Sequence, residues 1–139
     1  MDHVFVYGTL KRGFPYHDMG LAGQRFVARC RTCEPYPLVV ADRWYLPILI
    51  AEPGVGQCVI GELYAVDRPT LAKLDRLEGT GLKRGYRRTV IAVQPLDRDT
   101  AWDAWAYVKD RALVRTIHDG PLAEYRLDSR YVPASDRKG

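Results

Sequence analysis

The chain begins with an apolar run that ends abruptly in a glycine-bounded turn. Residues 3–7 are mostly apolar, which predicts a buried strand, and a glycine stands at each end of the segment 8–13 that follows. A strand that stops in such a turn leaves backbone N–H groups at the rim of the sheet without a partner. We therefore expect this rim to bind an anion.

Short apolar or alternating runs predict further strands along the chain. They cover residues 25–32, 37–41, 46–50, 58–66, 86–96 and 102–109. Prolines within two of these runs, 37–41 and 46–50, place those strands at a sheet edge or at a strand start. A helical turn is expected over residues 16–21, in a segment interrupted by glycine and proline.

Residues 69–78 have the spacing of a longer amphipathic helix. Leu71, Leu74 and Leu77 recur every three residues and form one apolar stripe. Asp67 before the segment and glycines after it are typical of the two ends of a helix. The pattern predicts a helix that buries its leucines against the sheet.

The order of these elements also indicates the fold class. Many short strands bounded by proline and glycine, together with one good helix, favour a curled or closed sheet over an open one. We expect an α+β fold, with a small mixed β-barrel-like sheet and flanking helices. The length of 139 residues and the 47% hydrophobic content fit one domain, which we place at residues 1–133, followed by a disordered tail at 134–139.

Composition and charge argue against several classes of partner. No apolar run approaches the roughly 20 residues of a membrane span, and Asp2 and His3 leave no basic region for a secretion signal. We expect a cytoplasmic protein without a membrane partner. The net charge of +4 comes mostly from arginines interspersed with acidic residues, whereas nucleic-acid-binding surfaces concentrate basic charge. We therefore expect an anionic small molecule, and no nucleic acid, as the partner.

The cysteines do not form a metal or disulfide pattern. The chain has three, an odd number, and Cys30 and Cys33 match the C-x-x-C spacing. No second cysteine or histidine pair follows at ligand spacing, and the motif does not open a helix as a redox site would. We expect reduced cysteines in a strand and no metal.

The turn at residues 8–13 has a second possible interpretation. Its glycines match the G-x-x-x-x-G frame of a phosphate-binding loop, but Phe14 and Pro15 stand where that loop needs Lys and then Ser or Thr. Without the lysine, the terminal phosphates of a nucleotide would have no charge partner. We therefore expect no nucleotide hydrolysis at this turn.

Glu78, the last residue of the predicted helix, is a second candidate for chemistry. The backbone dipole at a helix C-terminus disfavours an ionised carboxylate. The preceding Leu77 belongs to the apolar stripe, so the carboxyl group is also expected to lie in apolar surroundings, which disfavour its charge. Both effects would raise the Glu78 pKa towards the range that suits a general base. The alternative is an ordinary solvated glutamate, and the residue by itself leaves that alternative open.

Five segments occur in an order that resembles the gamma-glutamylcyclotransferase-like family, and most closely its gamma-glutamylamine cyclotransferase branch. They are Val-Tyr-Gly-Thr-Leu-Lys-Arg-Gly at 6–13, Glu-Pro-Tyr-Pro-Leu-Val-Val at 34–40, Gly-Glu-Leu-Tyr-Ala-Val-Asp at 61–67, Leu-Asp-Arg-Leu-Glu-Gly at 74–79 and Tyr-Arg-Arg-Thr-Val at 86–90. An Arg-Tyr-Val-Pro segment at 130–133 also resembles a C-terminal motif of that branch. The ordered set is far more specific than any one of its members.

The resemblance implies a small barrel with flanking helices, no metal and no organic cofactor. It implies that Tyr7, Gly8, Thr9 and Leu10 line the substrate site and that Glu78 is the catalytic acid/base. In the reaction of this family, the α-amine of a γ-glutamyl amide attacks its own γ-carbonyl, an amine leaves, and 5-oxoproline forms. The implied partner is a small-molecule γ-glutamyl substrate.

Three further tyrosines are candidate substrate-binding residues. Tyr107 lies on a strand where relatives tend to carry a tyrosine that faces the site, and Tyr86 and Tyr131 stand beside loop residues that could border a cleft. For each, the alternative is a tyrosine that only packs in the fold. A second function also stays open, that of a small-molecule-binding protein of the same fold without turnover, although the presence of Glu78 favours the enzyme.

Overall fold

The structure is a computed structural model that describes residues 1–137. Its strands are β1 (Asp2–Val6), β2 (Arg25–Thr32), β3 (Leu38–Ala41), β4 (Leu46–Leu49), β5 (Ile60–Val66), β6 (Arg87–Pro95), β7 (Trp102–Val108) and β8 (Ile117–Asp119). Its helices are α1 (His17–Leu21) and α2 (Arg68–Leu77), with short 3₁₀ helices at Arg111–Leu113 and Ala134–Asp136. The expected strands and helices are therefore present, with ends that differ by one or two residues.

Five of the strands close into a barrel in the order β1-β5-β2-β6-β7. Neighbouring strands are antiparallel except where β1 meets β7 in parallel, with Val4 opposite Trp105, and this pair closes the barrel. A smaller sheet has the order β4-β3-β8. Backbone hydrogen bonds between Lys109 and both Leu49 and Ala51 join this sheet to the end of β7. The expected α+β fold with a barrel-like sheet is confirmed.

From Val4 to Val6, β1 is buried on both of its faces, which explains why this part of its sequence is a continuous apolar run. Phe5 packs into one cluster of core residues together with Leu63 and Ala106. Val4 and Val6 belong to a second cluster, which contains the buried leucines of α1 and α2. Because neither face of the strand meets water, no alternation of polar and apolar residues is required. The end of this strand therefore lies in the protein interior, next to a cavity.

α2 begins as the sequence predicts but does not bury its whole leucine stripe. The Asp67 carboxylate accepts a hydrogen bond of 2.8 Å from the Thr70 N–H, which caps the first turn. Leu71 and Leu74 are buried, whereas Leu77 remains 39% exposed. The expectation that all three leucines are buried is therefore wrong for Leu77, because its side chain lines an open groove.

β8 and the 3₁₀ helix at Ala134–Asp136 were not expected from the sequence. β8 is only three residues long and pairs irregularly with β3, so it has no readable periodicity. Of the expected disordered tail, the structure describes residues 134–137, where a 3₁₀ helix forms and the Arg137 side chain donates a hydrogen bond to the Val132 carbonyl. Residues 138–139 lie outside the described residues. Within residues 1–137, no helix has the length and apolar character needed to cross a membrane.

Candidate active site

Two adjoining cavities lie beside the end of β1. The inner cavity has a volume of about 30 Å³ and is lined by residues 5–10, Pro47, Glu78, Tyr86 and Tyr107. The outer groove, of about 510 Å³, shares five of these residues, namely Thr9, Leu10, Pro47, Glu78 and Tyr86. It adds Pro15, Tyr16, Met19, Leu46, Leu77, Tyr131, Pro133, Ala134, Ser135 and Arg137. All the candidate residues from the sequence therefore line one space, Tyr131 on the groove side only.

The turn after β1 is held in place through its carbonyl groups. The Gly8 carbonyl accepts a hydrogen bond of 3.1 Å from the Lys11 N–H, and the Thr9 carbonyl accepts one of 2.9 Å from the Tyr16 N–H. Within residues 1–137, the backbone N–H groups of Gly8, Thr9 and Leu10 donate to no acceptor. Consecutive unpaired N–H groups at a sheet rim form a site for an anion.

Gly8 is required by the close approach of β4 to this turn. A Cβ atom built on Gly8 would lie 2.8 Å from Cγ of Pro47, a distance that real side chains do not adopt. The absence of a side chain at Gly8 thus lets Pro47 form the opposite wall of the inner cavity. The sequence marked the glycine but not its partner.

Glu78 is fixed at the end of α2 by the way the helix stops. Gly79 adopts a φ of +70°, and its N–H donates to the Arg76 carbonyl while the Thr80 N–H donates to the Asp75 carbonyl. This pair of bonds is the Schellman motif, which favours glycine at the left-handed position. The Glu78 carbonyl in turn accepts a hydrogen bond of 3.0 Å from the Tyr86 N–H. The backbone of Glu78 is therefore held on both sides.

The Glu78 carboxyl group has a strongly altered environment. Within residues 1–137 it makes no hydrogen bond and no ion pair within 4.0 Å. Burial raises its pKa to about 7, while the positive charges of Lys109 and Arg137 act in the opposite direction. The raised pKa agrees with the expectation from the sequence, and its main cause is desolvation of the carboxyl group rather than the helix dipole. A carboxyl group with this pKa can exchange a proton near neutral pH.

The three tyrosines of the inner cavity all donate their hydroxyl protons to acceptors of the protein. Tyr7 donates to the Tyr107 carbonyl at 2.7 Å and accepts a hydrogen bond of 3.3 Å from the Leu49 N–H. Tyr86 donates to the Pro47 carbonyl at 2.9 Å. The Tyr107 hydroxyl donates to a carboxylate oxygen of Asp75 at 2.7 Å. These bonds fasten the ends of β1, β4 and β7 to one another and to α2.

The outer groove is closed on one side by the C-terminal segment of residues 131–137. Its Ala134 N–H donates a hydrogen bond of 2.7 Å to the Tyr16 hydroxyl. The Tyr131 hydroxyl is buried and has no hydrogen-bond partner within residues 1–137. Burial raises the pKa of this hydroxyl, so it stays protonated. Arg137 brings a positive charge to the groove.

Sequence reasoning missed several residues of this site. From the sequence, Pro47 indicates only an edge strand, and Lys109 only the end of a strand. Lys109 is 6% exposed, and its ammonium lies 4.6 Å from the centre of the Tyr86 ring. A lysine directly after a buried apolar strand was the available signal, since lysine is almost never fully buried without a reason. Arg137 lay in the expected disordered tail and gave no signal.

The site has no arrangement of side chains that resembles a metal centre. Across residues 1–137, no group of three or more His, Cys, Asp or Glu side chains is placed to hold a metal ion. Cys30, Cys33 and Cys58 are all free. The chemistry of the described residues is that of a carboxyl group, backbone N–H donors and two nearby cations.

Several known proteins are similar to this chain in sequence or in structure. A family model described as "Gamma-glutamyl cyclotransferase, AIG2-like" matches residues 4–127. The human gamma-glutamylaminecyclotransferase is 49% identical over 101 residues, which are 70% of this chain and 65% of that protein. The rat gamma-glutamylaminecyclotransferase is 43% identical over 105 residues, 73% of this chain and 69% of that protein. The matched region thus spans about two thirds of the length of these relatives.

Solved structures show the same likeness over nearly the whole chain. The crystal structure of an AIG2-like protein from Mus musculus superimposes with a TM-score of 0.82 at 33% identity, and the match covers 99% of both chains. A solved gamma-glutamyl cyclotransferase shares the fold, with a TM-score of 0.67 at 14% identity over 84% of this chain and 69% of that chain. The resemblance seen in the sequence motifs is confirmed, and the chain belongs to the gamma-glutamyl cyclotransferase, AIG2-like, family.

Proposed function

We propose that this protein is a gamma-glutamylamine cyclotransferase that converts a γ-glutamyl amide into 5-oxoproline and a free amine, with Glu78 as general acid/base. The names of the human and rat relatives support this class of reaction. The observation that carries the proposal is the placement of Glu78. Its carboxyl group has a pKa raised to about 7 and lines the same small cavity as the unpaired N–H groups of residues 8–10.

The two ends of a glutamyl head group fit the two sides of this cavity. Its α-carboxylate would accept hydrogen bonds from the N–H groups of Gly8, Thr9 and Leu10, which are unpaired in the described chain. Its α-ammonium would then lie beside Glu78. The inner cavity of about 30 Å³ holds no more than a few atoms, so the γ-amide extends into the outer groove. Glu78 lines both spaces and thus reaches both nitrogens of the substrate.

Proton transfer through Glu78 can serve both halves of the reaction. The carboxylate takes one proton from the α-ammonium, whose pKa in a model amine is about 8, and the amine attacks the γ-carbonyl carbon. Glu78 then gives this proton to the leaving nitrogen, and the C–N bond breaks. The ring nitrogen releases its remaining extra proton, which the departing amine takes up in water. No nucleophilic side chain is needed.

Positioning supplies a large part of the rate enhancement in such a reaction. Nucleophile and electrophile belong to one molecule, and the protein has to fold the glutamyl chain so that the atoms lie about 3–3.5 Å apart. Holding a reactive geometry of this kind can lower the barrier by roughly 7–11 kcal/mol. The bonded tyrosines and the Schellman motif give the site the fixed walls that this requires.

The outer groove indicates what kind of amine leaves. Its walls include the apolar side chains of Met19, Leu46 and Leu77, and its volume of about 510 Å³ accommodates an alkyl chain. A small-molecule γ-glutamyl amide of a primary alkylamine, such as the side-chain amine of lysine, fits this description. We propose a substrate of this class and no nucleic-acid or membrane partner.

The decisive experiment is 5-oxoproline formation by the wild type and by Glu78→Gln. The substrates are γ-glutamyl-ε-lysine, γ-glutamyl amino acids and glutathione. The amide keeps the shape of Glu78 but accepts no proton, so we expect turnover to fall by roughly 10²- to 10⁴-fold while 5-oxoproline still binds. Glu124→Gln is the matched control, because Glu124 forms an ion pair with the exposed Arg29 and lies outside both cavities.

A second candidate function, ligand binding without turnover, makes the opposite prediction. In that case the wild type would bind γ-glutamyl compounds and 5-oxoproline, but none of the three substrate classes would yield product. Full activity in Glu78→Gln would instead retain the enzyme and remove Glu78 as its acid/base. The raised Glu78 pKa favours the enzyme, because a binding site has no need of a carboxyl group that titrates near pH 7.

A further inference from the structure

Asp75 lies three residues before Glu78 on α2, and its carboxylate has two partners. One oxygen accepts a hydrogen bond of 2.7 Å from the Tyr107 hydroxyl and lies 3.0 Å from Nε of Arg88. The Arg88 guanidinium in turn lies 4.2 Å from the centre of the Trp105 ring. Asp75 is therefore held in one orientation by residues of β6 and β7.

The bond between Asp75 and Tyr107 fixes the direction of one proton. An ionised carboxylate can only accept hydrogen bonds, so the hydroxyl proton of Tyr107 points to Asp75. The lone pairs of the Tyr107 oxygen are then directed away from Asp75. A hydroxyl that donates to a charged acceptor also becomes a better acceptor itself, because neighbouring hydrogen bonds polarise each other.

Tyr107 lines the inner cavity together with Glu78. Burial, the Asp75 carboxylate and the Glu78 carboxylate together raise the pKa of the Tyr107 hydroxyl, so the hydroxyl keeps its proton. Tyr7 and Tyr86 likewise give their protons to backbone carbonyls. The cavity thus has a donor side, at the N–H groups of residues 8–10, and an acceptor side, at Glu78 and Tyr107.

We propose that Asp75 is a positioning residue of the active site, which orients the Tyr107 hydroxyl so that its oxygen accepts a hydrogen bond from the α-ammonium of the substrate. Tyr107 then shares the ammonium with Glu78 and directs the amine at the γ-carbonyl. The inference rests on the proposed function, because it assigns a residue to the ammonium of a γ-glutamyl substrate. Its structural alternative is that Asp75 merely braces the last turn of α2 against the barrel.

Two ligands separate these explanations. γ-Glutamyl-ε-lysine carries the α-ammonium, whereas glutaryl-ε-lysine has the same carboxylate and amide but no α-amino group. Their binding is measured by calorimetry in a Glu78→Gln background, in which the first ligand is consumed far more slowly than by the wild type. The Asn amide can turn its NH₂ group to Tyr107 and donate to the oxygen that would otherwise accept from the substrate ammonium. We therefore expect Asp75→Asn to weaken the binding of γ-glutamyl-ε-lysine about tenfold, as for the loss of a hydrogen bond to a charged group, and that of glutaryl-ε-lysine less than twofold.

Three further variants in the same background make the result specific. Tyr107→Phe should weaken γ-glutamyl-ε-lysine by a similar factor, and adding Asp75→Asn to it should weaken binding no further. Arg88→Met removes the other partner of Asp75 and should leave the ratio of the two affinities unchanged. Tyr107→Phe also tests the acceptor role directly if Asp75→Asn does not fold.

The outcomes also separate this inference from the proposed function. If Asp75→Asn weakens both ligands equally, or leaves γ-glutamyl-ε-lysine unaffected, the positioning role of Asp75 is overturned and the cyclotransferase proposal stands. Additive losses in the Asp75→Asn/Tyr107→Phe pair overturn the route through Tyr107. If the wild type forms no 5-oxoproline and neither ligand binds, the proposed function itself fails.

Discussion

The inner cavity and the outer groove meet at Glu78, yet their walls are held in different ways. Around the inner cavity, the hydroxyls of Tyr7 and Tyr107 are bonded to the barrel and to α2, and the turn at 8–10 is bonded through its carbonyls. Around the outer groove, the walls are partly exposed apolar side chains and the irregular segment 131–137. One wall is a hydrogen-bonded framework, and the other is mainly apolar surface.

This difference parallels the two halves of the proposed substrate. The glutamyl half is common to every γ-glutamyl amide and has to reach one geometry for ring closure, which a rigid wall provides. The leaving amine needs only its nitrogen in place, so a wall with few directional bonds can accept several amines. Changes in the inner wall should therefore alter the rate for every substrate, and changes in the outer wall should alter the choice among amines.

Among changes to the two walls, the largest effect is expected from one that moves the inner wall. In Gly8→Ala the new methyl group would lie 2.8 Å from Cγ of Pro47, so either the turn or β4 must shift. A displacement of about 1 Å at reacting groups can cost about 10²-fold in rate, and we expect a loss of that size in kcat/KM for all γ-glutamyl substrates alike. Steady-state 5-oxoproline assays with a small and a large leaving amine would measure it.

The Pro47→Ala substitution provides the matched control for this prediction. It removes the ring that the new methyl group would meet but keeps the carbonyl that accepts from Tyr86. The double variant Gly8→Ala/Pro47→Ala should therefore recover part of the lost activity. Full activity in Gly8→Ala alone, or no recovery in the double variant, would show that the close approach of the two walls is unimportant.

The part of the site that could be predicted from the sequence is the part with a local sequence signal. Tyr7, Gly8, Thr9 and Leu10 are contiguous, and their signal is a buried strand that ends in a glycine-bounded turn. Glu78 had the local signal of a helix end before glycine. Each of these signals lies within a few residues of the chain, where periodicity and turn chemistry apply.

The remaining residues of the site come together only through tertiary structure. Pro47 of β4 lies against Gly8, 39 positions away in the chain. Lys109 lies beside Tyr86 because β6 and β7 pair with Arg87 opposite Val108. No local pattern encodes such approaches. The contribution of Arg137 could not be predicted, because a polar chain terminus has the composition of a disordered segment. The bond between Tyr107 and Asp75 joins residues 32 positions apart and likewise has no periodic signal.

A middle-sized effect, confined to the leaving amine, is expected when the outer wall is shortened. A chain that ends at Val132 lacks Pro133, Ala134, Ser135 and Arg137, which form one side of the outer groove. We expect KM for γ-glutamyl-ε-lysine to rise about tenfold, as apolar contact with the lysyl chain is lost. The affinity for 5-oxoproline and the kcat/KM for γ-glutamyl-methylamide, whose leaving group is small, should change less than twofold.

The chain that ends at Val132 also tests the domain boundary that we propose near residue 133. The truncated chain should unfold at nearly the same temperature as the full chain, because the 3₁₀ helix at Ala134–Asp136 contains no buried residue. An equal loss for the small and the large leaving groups would contradict the division between the two walls. Arg137→Met in the full chain then separates the charge of the tail from its role as a wall.

The smallest effect concerns the two cations, one from each wall, that act on Glu78. Lys109 belongs to the framework behind Tyr86 and Arg137 to the tail, and both lower the Glu78 pKa, Lys109 the more strongly. Replacing either by Met removes a positive charge, so the Glu78 pKa rises and less of the base is ionised at pH 6. The acid limb of the pH profile of kcat/KM, which reports the free enzyme, should move to higher pH in both variants. We expect the activity at pH 6 relative to pH 8 to fall about threefold in Lys109→Met and less in Arg137→Met.

Lys83→Met, which removes an exposed charge that does not act on Glu78, should leave the profile unchanged. A limb that moves to lower pH, or that responds to Arg137 more than to Lys109, would contradict this assignment of the charges to the two walls.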